Sequence, residues 1–169
     1  MKLFVLASAF LALLASVDAS ALPPTALPPT PPTLPASVYG CGGYATLLNA
    51  SLSPRHPRVG TTAIINATFL SPLPVLGGVG AINAYMGGSD VFEYPVNTCG
   101  AGQQIDVEGL ETAILDAPAC PLIPFYPFAL SFALPLPAAA AGLGELFIAI
   151  AGADTMLHLV YCVTLHLVL

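Results

Sequence analysis

Apolar and polar residues alternate along much of the chain after residue 58, with the period of two that half-buried β-strands show. The pattern is clear in residues 59–69, where a polar face opposes an apolar one, although Ile64 interrupts it. Turns rich in Gly, Pro and Asp separate the alternating segments. The predicted strands are residues 59–69, 79–86, 90–96, 125–136, 145–151 and 156–169. Several short strands at this spacing favour an all-β sandwich.

Three of the segments also predict which side chains face the interior, because alternate residues of a strand share one face. The predicted inward residues are Ala63, Ile65, Ala67 and Phe69 in the first segment, Tyr126, Phe128, Leu130, Phe132, Leu134 and Leu136 in the second, and Leu157, Leu159, Tyr161, Val163, Leu165 and Leu167 in the third. These residues are the predicted core of the sandwich.

The composition raises a membrane alternative. Of 169 residues, 56% are apolar and 7% charged, against roughly 45–50% and 25% in ordinary soluble domains. Residues 128–144 are apolar enough for a span, but Pro135 and Pro137 interrupt them. Residues 155–169 resemble a lipid-anchor tail without its preceding polar spacer. The sandwich remains our prediction, and the net charge of −6 excludes nucleic acid as a main partner.

The N-terminus has the three parts of a secretory signal peptide. Lys2 precedes an apolar stretch that ends before Asp18, and small residues surround a cleavage point after Ala19. A membrane anchor is the alternative, but the stretch is shorter than the roughly 20 residues that a span needs. We predict that residues 1–19 are a signal peptide.

Residues 20–37 form a Pro/Thr-rich linker, in which Ala-Leu-Pro-Pro-Thr occurs twice, and residues 38–169 form a single predicted domain. The domain contains four cysteines, an even number that indicates disulfides in a secreted chain, with three pairings open. Two sequons predict glycosylation of Asn49 and Asn66.

Motifs of catalysis and metal binding are missing from the sequence. It contains no GxSxG, HExxH or P-loop pattern and no CxxC pair. Asp106, Glu108 and Glu111 form an acidic cluster, which we interpret as a solvated loop because the spacing of an EF-hand is absent. We therefore expect a protein that is not an enzyme and uses no cofactor or metal.

The order of short motifs in residues 38–169 resembles the ML (lipid-recognition) domains, the family of the Niemann–Pick type C sterol carrier and the fungal phosphatidylglycerol/phosphatidylinositol transfer protein. In chain order, the motifs are Cys41-Gly42, Ser53-Pro54, Gly60, Asn66-Ala67-Thr68-Phe69, Gly77-Gly78-Val79, Thr98-Cys99, Ala119-Cys120-Pro121-Leu122, Leu134-Pro135-Leu136-Pro137 and Cys162. The chain departs from many members in lacking a short-range cysteine pair near Cys41 and in having few cationic residues.

The resemblance implies an immunoglobulin-like, two-sheet antiparallel β-sandwich that holds a lipid between its sheets. It also implies that Cys41 pairs with Cys162 and Cys99 with Cys120. The corresponding function is a secreted lipid-binding or lipid-transfer protein for a sterol or phospholipid. Such a protein would contact membranes transiently and act as a monomer in the extracellular space or the endolysosomal lumen.

Two sets of candidate site residues follow. The cavity-lining candidates are Phe69, Phe128, Leu130, Phe132, Leu134, Leu136, Ile148 and Tyr161. The headgroup candidates are Arg55, His56 and Arg58, although these residues could simply flank a turn after Pro54. The alternative function is a structural or adhesive extracellular protein, in which a Pro/Thr-rich stalk carries a fully packed sandwich.

Overall fold

The computed structural model describes residues 36–86, 89–106, 111–142 and 144–169, which form ten β-strands and one short 3-10 turn, Ala138–Ala140. The predicted signal peptide and residues 20–35 of the predicted linker lie outside the described residues. The strands are β1 (Ala36–Gly42), β2 (Thr46–Ser53), β3 (Thr61–Leu70), β4 (Val79–Met86), β5 (Ser89–Asn97), β6 (Gln103–Ile105), β7 (Ala113–Asp116), β8 (Pro127–Leu136), β9 (Glu145–Ala153) and β10 (Leu159–Val168). No helix in the described ranges is long and apolar enough to cross a membrane.

The strands form two five-stranded antiparallel sheets. The first has the order β1-β10-β9-β4-β5 and the second the order β2-β3-β8-β7-β6. Aromatic and aliphatic side chains of both sheets meet in one buried cluster. The predicted all-β, immunoglobulin-like sandwich is therefore confirmed.

The interior arises from the alternation that the sequence shows. In the second sheet, Ala63 lies opposite Leu134 and Ile65 lies opposite Phe132, and all four side chains are buried. In the first sheet, Ile148 of β9 is paired with Leu165 of β10, and both are buried as well. The buried polar residues of the described ranges are Ser71, Thr98 and Thr164. The space between the sheets is thus almost entirely apolar.

Six strands match the predicted segments, but three inward predictions are wrong. Tyr126 and Leu157 are exposed, because β8 begins only at Pro127 and β10 only at Leu159. In both places the backbone has a positive φ, at Phe125 (60°) and at Leu157 (65°), which ends the extended geometry that alternation requires. Leu159, the third, is exposed at the first position of β10.

Four strands, β1, β2, β6 and β7, lack a predicted segment. β1 begins at Ala36, two residues before the predicted start of the domain at residue 38. The register of β2 shifts between Leu47 and Asn49, which interrupts its alternation. β6 and β7 span three and four residues, too few for a periodic pattern.

Strand direction divides the loops between two ends of the sandwich. Leu70 pairs with Pro127 and Ala153 with Leu159, so the segments 43–45, 71–78, 98–102, 117–126 and 154–158 share one end. We call this the apolar end, for its exposed side chains. Thr61 pairs with Leu136 at the other end, which carries residues 54–60, Glu111, 137–142 and Glu145. We call this the charged end.

Two disulfides join strands and loops. Cys41 at the end of β1 is bonded to Cys162 of β10, and Cys99 is bonded to Cys120 across two loops of the apolar end. These are the two pairs that the resemblance implies.

Candidate functional site

A concavity at the apolar end has a volume of about 300 Å³. Its lining residues are Pro118, Ala119, Pro121, Leu122, Ile123, Tyr126, Pro127, Phe128 and Ala129. None of these side chains is charged. The volume lies at the lower limit of the roughly 300–1,000 Å³ typical of small-molecule sites. The lining therefore fits an apolar ligand group.

The wall of the concavity is held by backbone pairing between two loops. Val75 and Leu122 exchange two backbone hydrogen bonds, of 3.4 Å and 2.8 Å, and the Phe125 N–H donates to the Ser71 carbonyl at 2.8 Å. The buried Ser71 hydroxyl donates to the Leu73 carbonyl at 2.7 Å, which folds residues 71–73 into a turn. The Cys99–Cys120 disulfide ties the same wall to the loop after β5. The wall is therefore anchored from two directions.

Three aromatic rings of the interior cluster pack against one another next to the concavity. Phe128 stacks on Phe69 with ring centroids 5.6 Å apart, and the Tyr161 ring of the opposite sheet lies 5.5 Å from Phe69 and 6.0 Å from Phe128. Phe128 also lines the concavity, so it contacts both spaces. We call Phe69, Phe128 and Tyr161 the aromatic trio.

Tyr161 is held in place by its polar tip and by a glycine. Its hydroxyl donates to the Thr98 carbonyl at 3.0 Å, and burial raises the pKa of the phenol, which keeps this donor protonated. Its ring lies over Gly152, where a Cβ would collide with the ring atoms. Glycine at residue 152 is therefore required by the close approach of the ring.

Thr98 organises the backbone of the apolar end. Its hydroxyl lies within hydrogen-bonding distance of the Val79 and Ala153 carbonyl oxygens, and its N–H donates to Gly78 at 3.2 Å. With the bond from Tyr161, this buried residue joins the ends of β4, β5, β9 and β10. Sequence reasoning missed this role, since a threonine beside a cysteine carries no signal of its contacts.

Asp154 fixes the turn between β9 and β10, a second role that the sequence did not predict. Its Oδ1 accepts the N–H groups of Met156 at 2.8 Å and His158 at 3.0 Å, while its Oδ2 lies 3.5 Å from the Tyr44 hydroxyl and the His158 ring. Desolvation raises the pKa of Asp154, but the backbone hydrogen bonds and the neighbouring His158 ring together outweigh that effect and hold the pKa below its usual value. The turn is thus built around an ionised carboxylate.

All eight cavity-lining candidates lie on inner faces of the sheets and are buried. The aromatic trio lies at the apolar end, whereas Leu136 reaches the charged end and lines a second concavity of about 180 Å³. The two concavities share no lining residue. The candidates are therefore brought together in one buried cluster, of which Phe128 and Leu136 each line one of the two concavities.

The headgroup candidates lie elsewhere. Arg55, His56 and Arg58 are exposed in the loop between β2 and β3, at the charged end. They do not line either concavity. The structure thus separates them from the larger apolar opening by the length of the sandwich.

The two sequons face each other on the outer side of the second sheet. Asn49 is paired with Thr68 and Ser51 with Asn66, and both asparagines are exposed. Among the described residues, no three His, Cys, Asp or Glu side chains are grouped so that they could hold a metal ion.

Comparisons with known proteins complete the description of the site. No protein-family model and no curated protein matches the chain. Among solved structures, the chain is similar to the crystal structure of chicken MD-1 complexed with lipid IVa, at a TM-score of 0.49 and 12% sequence identity. The match covers 82% of this chain and 92% of the MD-1 chain.

Proposed function

We propose that this protein is a secreted, non-enzymatic lipid-binding protein of the ML type, which takes a sterol or an acyl chain of a phospholipid into the sandwich from the apolar end. The observation that carries the proposal is the position of Phe128, which lines an uncharged concavity of about 300 Å³ and belongs to the interior cluster. A ligand in the concavity would reach the space between the sheets by displacing Phe128, which packs against Phe69 and Tyr161.

The energetics favour such a ligand. Burying one methylene gains about 0.8 kcal/mol, so a chain that occupies the concavity gains several kcal/mol before the cost of ordering it. An exposed ion pair contributes only about 0–1 kcal/mol. Apolar fit would therefore set the affinity, and the proposal assigns no headgroup contact to Arg55, His56 or Arg58.

The disulfides support the secretory part of the proposal. Stable disulfides form in oxidising compartments, and the described cysteines are all paired. The extracellular space and the endolysosomal lumen both meet this requirement. We propose that the protein carries lipid between membranes there as a monomer.

One observation favours the structural or adhesive alternative. The inner-face residues are closely packed, with the three rings of the aromatic trio in mutual contact. A sandwich that stays closed would hold no lipid, and its function would then depend on its surfaces.

Lipid capture by the purified, secreted chain tests the proposal. Native mass spectrometry should detect a bound lipid, and the delipidated protein should bind a fluorescent sterol or phosphatidylcholine. An Ala129→Phe variant fills the concavity from outside the core and should weaken binding at least tenfold.

Ala133→Phe is the matched control, because it makes the same change on the same outer face of β8 beyond the concavity. It should leave affinity unchanged once circular dichroism verifies its fold. Absence of any bound lipid, together with failure of both probes, would overturn the proposal in favour of the adhesive alternative.

A further inference from the structure

Two described residues other than glycine have a backbone in the left-handed region, Phe125 at φ 60° and Leu157 at φ 65°. Side chains make this conformation unfavourable, and glycine or asparagine normally occupies it. Both residues here are large and apolar, and their exposed fractions are 72% and 73%. Most of each side chain is therefore in contact with solvent. Such strain is typically kept where a function requires it.

Phe125 and Leu157 belong to one end of the molecule. The Phe125 N–H donates to Ser71, at the start of the segment 71–78. Gly78 closes the same segment and packs against Ala153 so tightly that a Cβ would collide with the Ala153 carbonyl, directly before the turn that contains Leu157. The segment 71–78 thus joins the two strained positions.

More apolar side chains lie exposed on these same loops. Leu76 is 78% exposed on the joining segment, and Met156 is 75% exposed beside Leu157. Ile123 and Tyr126 flank Phe125 and are also exposed. We call these six residues the apolar tip: Leu76, Ile123, Phe125, Tyr126, Met156 and Leu157.

The charges around the tip indicate what it contacts. Both arginines of the described residues, Arg55 and Arg58, lie at the charged end. The acidic groups nearest the tip are engaged internally, since Asp116 accepts the Gly102 N–H at 2.7 Å and Asp154 accepts two N–H groups of its own turn. An anionic lipid surface would find no lysine or arginine at this end among the described residues, where Asp116 is exposed and the Asp154 carboxylate faces the His158 ring. A bilayer of uncharged or zwitterionic lipid presents no such repulsion.

We propose that the apolar tip inserts into zwitterionic lipid bilayers, with Phe125 and Leu157 as the residues that enter the membrane. Aromatic and aliphatic side chains at loop tips partition into the interfacial region without needing directional partners. A protein partner would instead require a polar rim of paired donors and acceptors. The tip adjoins the 300 Å³ concavity through Ile123 and Tyr126, so docking would place the opening against the lipid. This inference concerns docking and stands independently of lipid capture.

Tryptophan fluorescence tests the insertion directly, because the chain contains no tryptophan. Phe125→Trp and Leu157→Trp each introduce a single reporter that should shift to the blue with phosphatidylcholine vesicles and be quenched by brominated lipid. Tyr85→Trp, on the first sheet near the charged end, is the control and should show neither effect. Replacing part of the phosphatidylcholine with phosphatidylserine should weaken binding. Equal or stronger binding to the anionic vesicles would overturn the proposed lipid preference.

Glycine variants separate docking from folding. Phe125→Gly and Leu157→Gly remove the side chain and the strain together, so each should keep or raise the thermal midpoint while vesicle affinity falls at least tenfold. Ile114→Ser, which removes an exposed apolar residue from the outer face of β7, should bind vesicles as the wild type does.

Unchanged affinity of both glycine variants would overturn the proposal, as would a wild-type protein that ignores vesicles of every composition. Lipid capture is measured separately with delipidated protein and soluble probes. Vesicle docking without lipid uptake would refute the proposed function alone, and uptake without docking would refute this inference alone.

Discussion

The loops that connect the strands expose different kinds of side chain at the two ends of this sandwich. At the charged end, turns expose polar groups such as Arg55, Arg58 and Glu145, as solvated turns commonly do. At the apolar end, the loops expose Phe125 and Leu157, and the backbone is strained at both residues.

The two ends also differ in the contacts that hold their loops in place. The apolar end has a disulfide between two of its loops, a buried Thr98 that joins four strands, and a carboxylate that holds the 154–158 turn. At the charged end, the His166 ring stacks on Phe147 with its Nε2 atom 4.0 Å from the carboxylate of exposed Glu145, and the Thr61 hydroxyl donates to the Arg58 carbonyl at 2.6 Å. We interpret the apolar end as a surface maintained for contact.

The largest expected loss in the free energy of unfolding comes from removing a disulfide. In the chain-entropy model, the Cys41→Ala/Cys162→Ala variant should lose about 5 kcal/mol and the Cys99→Ala/Cys120→Ala variant about 3 kcal/mol. The two bonds join residues separated by 121 and 21 positions respectively, which explains the order. Urea unfolding measures both losses. A greater loss from the shorter loop would mean that the supports of the apolar end dominate the stability of the fold.

The next largest loss of stability comes from truncating a buried side chain of β8, either next to the concavity or farther from it. Phe128→Ala should cost about 3–5 kcal/mol and Leu134→Ala about 2–5 kcal/mol in the free energy of unfolding, since both side chains are buried. Only the first change enlarges the route from the concavity, so added lipid should restore stability to Phe128→Ala and not to Leu134→Ala. Thermal unfolding with and without phosphatidylcholine or sterol tests this. Equal restoration would remove the distinction between the two ends for lipid entry.

The sequence predicts the buried residues of the sandwich better than the exposed residues of its loops. The inward faces of β3 and β8 follow from alternation, because strand periodicity is a local property. The same alternation in the sequence includes Tyr126 and Leu157, which lie before β8 and β10 begin. It therefore predicted that these two residues are buried, and both are exposed.

The supports of the apolar end could not be predicted for a different reason. The pairing of Val75 with Leu122 and the contacts of Thr98 join segments far apart in the chain, and no local pattern encodes them. The positive φ at Phe125 could not be predicted either, because such positions are usually occupied by glycine. The headgroup candidates are a different case. The sequence shows that these basic residues are close together in the chain, but it does not show how far they lie from the concavity at the apolar end.

A smaller effect concerns the hydrogen bond between Tyr161 and Thr98. Tyr161→Phe keeps the ring in the aromatic trio but leaves the Thr98 carbonyl without this donor. The expected loss is about 1–3 kcal/mol, the usual cost of a buried polar group that loses its partner. Tyr39→Phe, at an exposed position of β1, should change stability by less than about 0.5 kcal/mol. Chemical denaturation of both variants provides the comparison, and equal losses would contradict the role given to Thr98.

The acid dependence of the 154–158 turn provides a further test. A carboxylate whose folded pKa is lowered stabilises the fold above its ordinary pKa of about 3.9, and that contribution is lost as the pH falls through the folded value. Asp154→Asn should therefore be less stable than the wild type at neutral pH and should converge with it in acid. His158 and Tyr44 face the carboxylate, so His158→Gln measured alongside separates the imidazole contribution. A difference that persists unchanged at low pH would contradict the charged state of the turn.

The smallest expected effect is at the charged end. Arg55 and Arg58 are exposed, and surface substitutions away from special features usually change stability by no more than about 0.5 kcal/mol. An Arg55→Gln/Arg58→Gln variant should therefore unfold like the wild type and bind the same sterol or phosphatidylcholine probe with the same affinity, because these residues lie at the end opposite the concavity. The informative ligand is an anionic phospholipid, measured by titration against both proteins. If the variant loses affinity for that lipid alone, the two arginines contact its headgroup, and lipid must then reach the charged end as well as the apolar one.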